Sequence, residues 1–133
     1  MHENSKKPRL LVIDDTSLIK EHLSQKVLDQ YEALYEIHGK EAIEHMEEYK
    51  PDVILIQLML SQMDSFEICM RIRALLHEAQ PLIIILSNTK FRKSIQDVAY
   101  KSGVDKILFS PLENDIVESL ILNHRPKPLS LNA

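Results

Sequence analysis

Short apolar runs recur along the chain at a regular pace and are separated by stretches of mixed polarity. A continuous apolar run of roughly four to eight residues, bounded by Gly, Pro or polar residues, is typical of a buried strand. Four runs show this pattern or approach it, and a weaker, partly polar run lies between the first two of them. The predicted strands are 10–13, 34–37, 53–56, 82–86 and 106–109.

The intervening stretches carry apolar residues at helical spacing and begin or end at helix signals. Asp15 or Thr16 is a candidate N-cap for the first helix, and Asp64 for the third. The second helix must end before Pro51, and Gly103 can terminate the fourth in the left-handed conformation. The predicted helices run from the first cap to about 28, from 39 to before 51, from 65 to about 77, from 91 to 101 and from 113 to 123.

Strands that alternate with helices predict a parallel sheet covered on both faces. The first, third and fourth strands are continuously apolar, whereas the second and fifth carry Glu36 and Lys106 and suit the edges. We therefore predict a flavodoxin-like, doubly wound α/β fold with a five-stranded parallel sheet in the order 2-1-3-4-5. Ligands in such sheets bind beyond the carboxyl ends of the strands, at the switch point between strands one and three. Asp14, Asp15 and Gln57 fall at that point.

Gln57 limits the chemistry of this predicted pocket. An ionised aspartate there could attack a phosphoryl group and share a divalent cation with neighbouring carboxylates. A glutamine offers only a neutral oxygen and an NH2 donor. Because no paired nucleophile and base are visible elsewhere in the sequence, we do not expect an enzyme. Asp15 at this position is also a common type of helix cap.

Composition and charge limit the number of domains, the classes of partner and the cellular location. The 133 residues fit a single domain, predicted over 9–124, with a disordered N-terminus at 1–8 and a tail or linker at 125–133. A formal net charge of −4 gives no case for nucleic acid or an anionic membrane as partner. The single cysteine, Cys69, and the lack of a long apolar run or secretion signal favour a cytoplasmic location.

Over roughly 9–123 the chain resembles the receiver domain of two-component response regulators. The resemblance rests on several short segments in the right order: LLVIDD at 10–15, PDVILI at 51–56, MD at 63–64 followed by FE at 66–67, LIIILS at 82–87, GVD at 103–105 and SP at 110–111. In that family, an aspartate that ends strand three carries a phosphoryl group and an acidic pair helps to hold magnesium. A Ser or Thr after strand four and a lysine before a proline after strand five respond to the change.

The resemblance carries over only in part. It assigns Asp14 and Asp15 to the acidic pair, Ser87 to the switch hydroxyl and Pro111 to the proline that follows a cis peptide bond. The sequence differs from the family pattern at the two positions that are chemically most demanding. Gln57 stands in place of the phosphoacceptor aspartate, and Ser110 stands in place of the lysine.

These departures indicate a degenerate receiver, or pseudo-receiver, that regulates through protein contacts without phosphorylation. The resemblance implies a histidine kinase, an output domain or a second copy as partner, through the face of helix four, strand five and helix five. No cofactor is expected, although Asp14 and Asp15 could hold Mg2+ weakly, because affinity for hard cations depends on the number of charged oxygens. The alternative is a sensor that binds a small molecule or ion among Asp14, Asp15, Gln57 and Ser87.

Overall fold

The computed structural model describes residues 7–57, 64–76, 80–88, 90–109, 111 and 114–124. Five parallel strands form one sheet in the order β2-β1-β3-β4-β5, so the predicted fold class and strand order are confirmed. The paired residues Ile13↔Ile56 and Gln57↔Leu86 align the carboxyl ends of the three central strands. The strands are β1 Arg9–Ile13, β2 Glu32–Glu36, β3 Val53–Gln57, β4 Leu82–Ser87 and β5 Lys106–Phe109.

Helices connect the strands and cover both faces of the sheet. No helix in the part of the chain described above is long and apolar enough to cross a membrane. The helices are a 3-10 turn at Lys20–His22, α1 Gln25–Gln30, α2 Gly39–Glu44, α3 Met46–Tyr49, α4 Ser65–Leu75, α5 Lys93–Lys101 and α6 Asn114–Asn123.

The first two predicted helices are wrong in extent. The chain after β1 does not enter a helix directly, since Ser17 takes a left-handed φ of 68°, and α1 begins only after Ser24. Ser24 Oγ accepts a hydrogen bond from the Val27 amide at 3.3 Å and caps this short helix. The second predicted helix is split into α2 and α3 at His45, whose φ of −99° and ψ of 5° lie outside the helical region.

Two apolar cores lie on opposite faces of the sheet. Successive residues of a strand point to opposite faces, so Ile54 packs in one core and Leu55 in the other. The first core lies under α2 to α5 and the second under α1 and α6. Because both faces are covered, the central strands are apolar at every position except for the polar residues at their ends, Arg9, Gln57 and Ser87, which is why the pattern showed no alternation.

A side chain from α4 fixes the amino ends of β4 and β5. The Arg73 guanidinium donates to the Gly103 carbonyl at 2.7 and 3.0 Å, to the Pro81 carbonyl at 2.8 Å and to Asp105 Oδ2 at 2.8 Å. Asp105 Oδ2 also accepts from the Ile83 amide at 2.8 Å. Gly103 has a φ of +108°, and a Cβ there would lie 2.7 Å from Arg73 Cγ. The predicted glycine stop is therefore required both by its backbone angle and by the close approach of Arg73.

Candidate functional site at the carboxyl ends of the central strands

The sheet register brings the predicted pocket residues together. Asp14 follows β1 directly, Gln57 ends β3, and β1 and β3 are neighbours. Both side chains are withdrawn from solvent, since Asp14 is 9% exposed and Gln57 only 2%. Gln57 is thus not a surface amide, and the switch point forms where the sequence predicted it.

Asp14 anchors the loop that follows β1. Its Oδ1 accepts hydrogen bonds from the backbone N–H and the hydroxyl of Thr16, both at 2.8 Å. Its Oδ2 accepts from the Ile19 amide at 2.8 Å, and its own amide donates to the Glu36 carbonyl at 2.9 Å. The carboxylate therefore fixes the backbone on either side of Ser17. This is the local reason why the chain turns here instead of starting a helix.

Gln57 is held at both its backbone and its side chain. The Ser65 hydroxyl donates to its carbonyl at 2.9 Å, which ties the end of β3 to the start of α4. Its side-chain Oε1 lies 3.1 Å from Thr16 Oγ1. Thr16 therefore joins the acidic residue to the amide, and sequence reasoning treated it only as a possible helix cap. An Asp followed two residues later by Thr was a usable signal, because Asp side chains bond the backbone two residues on.

The remaining predicted site residues are placed less completely. Ser87 ends β4 at the same edge and is 1% exposed, and Asp15 lies half-buried beside Asp14. Ser110 lies outside the described residues, so its role and the cis peptide bond before Pro111 stay predictions. Pro111 itself is exposed.

Comparison with known families decides what this arrangement is. Residues 10–121 match the family model described as the response regulator receiver domain. The chain belongs to the receiver domain family. Receiver domains act in two-component signalling, and the predicted family and fold are both confirmed.

Relatives of known function are longer than this receiver domain. Transcriptional regulatory protein AfsQ1 of Streptomyces coelicolor is 28% identical over 115 residues, which are 86% of this chain and 49% of that protein. The DNA-binding dual master transcriptional regulator RpaA of Synechocystis is 28% identical over 108 residues, 80% of this chain and 44% of that protein. The receiver domain thus spans about half the length of these curated relatives.

A solved structure supports the fold independently. The signal receiver domain of a putative Luxo repressor protein from Vibrio parahaemolyticus superposes with a TM-score of 0.75. The two chains are 21% identical, and the match covers 87% of this chain and 88% of the other. At this identity the likeness establishes the fold and leaves the pocket chemistry to the residues themselves.

The pocket of this receiver domain fits a divalent cation poorly. Receiver domains typically bind Mg2+ at the phosphorylation site. Within the residues that the structure describes, no group of three His, Cys, Asp or Glu side chains could hold a metal ion. Both oxygens of Asp14 already accept hydrogen bonds from the loop, and Gln57 contributes no charge. A hard cation favours several charged oxygens, and Asp14 and Asp15 are the two carboxylates that the sequence assigned to it, so this donor set suits only weak binding of Mg2+.

Proposed function

We propose that this receiver domain regulates a protein partner without being phosphorylated at residue 57. One observation carries the proposal: a buried amide, in contact with Thr16, lies where the resemblance places the phosphoacceptor carboxylate. The amide oxygen is neutral and cannot form an acyl phosphate. Signalling through this chain then depends on whether a partner binds, and no catalytic residue is assigned to it.

The partner surface in this proposal surrounds β5. Strand β5 is at the edge of the sheet, and α5 and α6 lie beside it on opposite faces. These three elements correspond to helix four, strand five and helix five of the sequence prediction. We define the β5 face by four exposed residues of α5, β5 and α6: Ile95, Val98, Lys106 and Ile116.

Exposed apolar residues support a docking role for the β5 face. Ile95 is 40% exposed, Val98 49% and Ile116 44%. Large apolar side chains left exposed around an edge strand are suited to a protein contact that would cover them. Receiver domains interact with histidine kinases and output domains. For this chain we propose such a protein, or a second copy, in the cytoplasm, and neither nucleic acid nor membrane.

The decisive test is chemical. The native protein is incubated with acetyl phosphate and Mg2+, and its intact mass is measured beside a phosphorylatable receiver domain as positive control. We expect the control to gain a phosphoryl group and this chain to keep its mass. A phosphoryl adduct on the native chain would refute phosphorylation independence.

The sensor alternative makes a different prediction for the same pocket. A small molecule that binds only the folded state must raise its thermal midpoint. Asp14 and Gln57 already contact groups of their own chain, so the described contacts give this alternative no support. It would gain support from a compound that stabilises the native protein and fails to stabilise a Gln57→Leu variant.

A further inference from the structure

The Thr16 hydroxyl has three polar neighbours and only one proton. It lies 2.8 Å from Asp14 Oδ1, 3.1 Å from the Gln57 amide oxygen and 3.2 Å from the Leu18 amide nitrogen. A hydroxyl donates one hydrogen bond and accepts two. The Leu18 N–H can only donate, and an ionised Asp14 can only accept. The Asp14 carboxylate and the Gln57 amide oxygen both lie where they could accept the single Thr16 proton. The shorter contact, to the charged oxygen of Asp14, is the stronger hydrogen bond and takes the proton. The contact with Gln57 then requires a donor on the Gln57 side.

A glutamine side chain can supply that donor. Its terminal oxygen and nitrogen exchange places on a half-turn about the last side-chain bond, so the same contact brings the NH2 group to Thr16. The bonds then run in one direction: the Gln57 amide donates to Thr16, and Thr16 donates to Asp14. Each hydrogen bond of such a series polarises the next, and here its two ends, Asp14 and Gln57, are buried whereas Thr16 is exposed.

We propose that this series of hydrogen bonds, from Gln57 through Thr16 to Asp14, holds the pocket closed in place of a divalent cation. We call this series the Thr16 lock. It deepens the proposed function and rests on it, because it describes how the same pocket is regulated once phosphorylation is absent. Thr16 is a positioning residue in this account.

A carboxylate at residue 57 could not complete the lock. Thr16 would then lie between two anionic acceptors with a single proton to give, and one acceptor would lose its bond. Two carboxylates that both contact the Thr16 hydroxyl would also repel each other, unless a cation lies between them. Glutamine is thus more than a lost phosphosite, since it brings the donor that the third contact of Thr16 requires.

The backbone shows how firmly the Asp14 end of the lock is held. Ser17 has a φ of 68°, which is uncommon for a residue with a side chain. The two bonds to Asp14 Oδ1 and the bond from Ile19 to Oδ2 enclose this residue on both sides. A left-handed residue persists only where the surrounding contacts determine it, and the carboxylate provides these contacts.

The side-chain amide of Gln57 reports the lock directly. Its NMR signal is assigned by its loss in a Gln57→Leu variant, and its hydrogen exchange is compared with that of the exposed Gln25 and Gln30. We expect slow exchange in the native protein, fast exchange in Thr16→Val and slow exchange again in Thr16→Ser, which keeps the hydroxyl. Fast exchange in the native protein, or no effect of Thr16→Val, would overturn the lock.

A double-mutant cycle separates the contact from general loss of stability. The urea midpoints of the native protein, Thr16→Val, Gln57→Leu and the double variant are compared. If Thr16 and Gln57 bond to each other, the double variant should lose clearly less than the two single losses combined. Additive losses would contradict the bond.

Magnesium tests whether the lock replaces a cation. The thermal midpoints of the native and Gln57→Glu proteins are measured with EDTA and with Mg2+. We expect Mg2+ to raise the midpoint only in Gln57→Glu, which lacks the donor and adds a charged oxygen. If Mg2+ raised the midpoints of both proteins, or of neither, the claim that the lock replaces a cation would be overturned. A phosphoryl adduct on native protein would instead refute the proposed function and leave the exchange result intact.

Discussion

At the residue scale, Cys69 links burial to the pH dependence of stability. This thiol is fully buried in the core beneath α4, and burial raises its pKa from 9.0 to about 12. The folded state therefore keeps the thiol protonated while the unfolded state ionises above pH 9. The stabilising contribution is complete below pH 9 and is lost as the pH rises towards 12.

We expect the urea midpoint of the native protein to fall between pH 9 and pH 11, and to fall less in a Cys69→Ala variant. The pKa of Tyr31 is also raised by burial, so part of the fall should remain in the variant. Equal slopes in the two proteins would exclude Cys69 as a cause. At neutral pH the urea midpoint of the Cys69→Ala variant should lie below that of the native protein, because the alanine leaves space in the core.

Single residues also show how much of the site could be predicted from the sequence. The adjacency of Asp14 and Gln57 followed from their places at the ends of apolar strands, since parallel strands end at one edge of a sheet. The role of Thr16 did not follow, because it depends on a contact across 41 positions of the chain. A hydroxyl that follows an aspartate looks like an ordinary helix cap until that contact is known.

At the scale of elements, Arg73 connects α4 to the neighbouring strands β4 and β5. It is largely buried at 23% exposure and bonds the turn between α5 and β5 as well as the start of β4. We expect Arg73→Ala to lower the free energy of unfolding by about 1.5–3 kcal/mol, the usual loss for a hydrogen bond with a charged partner.

Arg71 provides the matched control on the same helix. Its ion pair with Glu67 is of the i, i+4 type and both side chains are exposed, at 55% and 45%. Arg71→Ala should therefore cost only about 0.2–0.5 kcal/mol in the same urea titration. Similar losses in the two variants would show that Arg73 acts as a surface charge and not as a link between elements.

Helix limits were the least predictable part of the fold. The apolar spacing correctly placed α4 to α6, whose inward faces are set by periodic burial. It could not show the split at His45, where the ring and the Tyr49 hydroxyl both contact Glu36 Oε2, at 3.1 and 2.9 Å. Side-chain contacts with a neighbouring strand are tertiary, and they override a local helical preference.

At the scale of the whole molecule, one sheet separates two cores and couples them. Ile54 and Leu55 are neighbours on β3, yet each lies in a different core and both are fully buried. We expect Ile54→Ala and Leu55→Ala each to cost about 2–5 kcal/mol. Since the strand is shared, each variant should still unfold in a single transition.

Far-UV circular dichroism and hydrogen exchange of the buried amides check this coupling. The two probes should report the same midpoint in each variant. Separate transitions in either protein would show that the cores unfold independently.

The Thr16 lock has a consequence for timing. A regulator that carries a labile covalent group returns to rest at the rate at which that group is removed, so its signal has a built-in lifetime. A site held by the chain's own amide and hydroxyl has no such lifetime. In the proposed function, the duration of the response would follow the abundance of this protein and the residence time of its partner, and the cell would control it through synthesis and turnover.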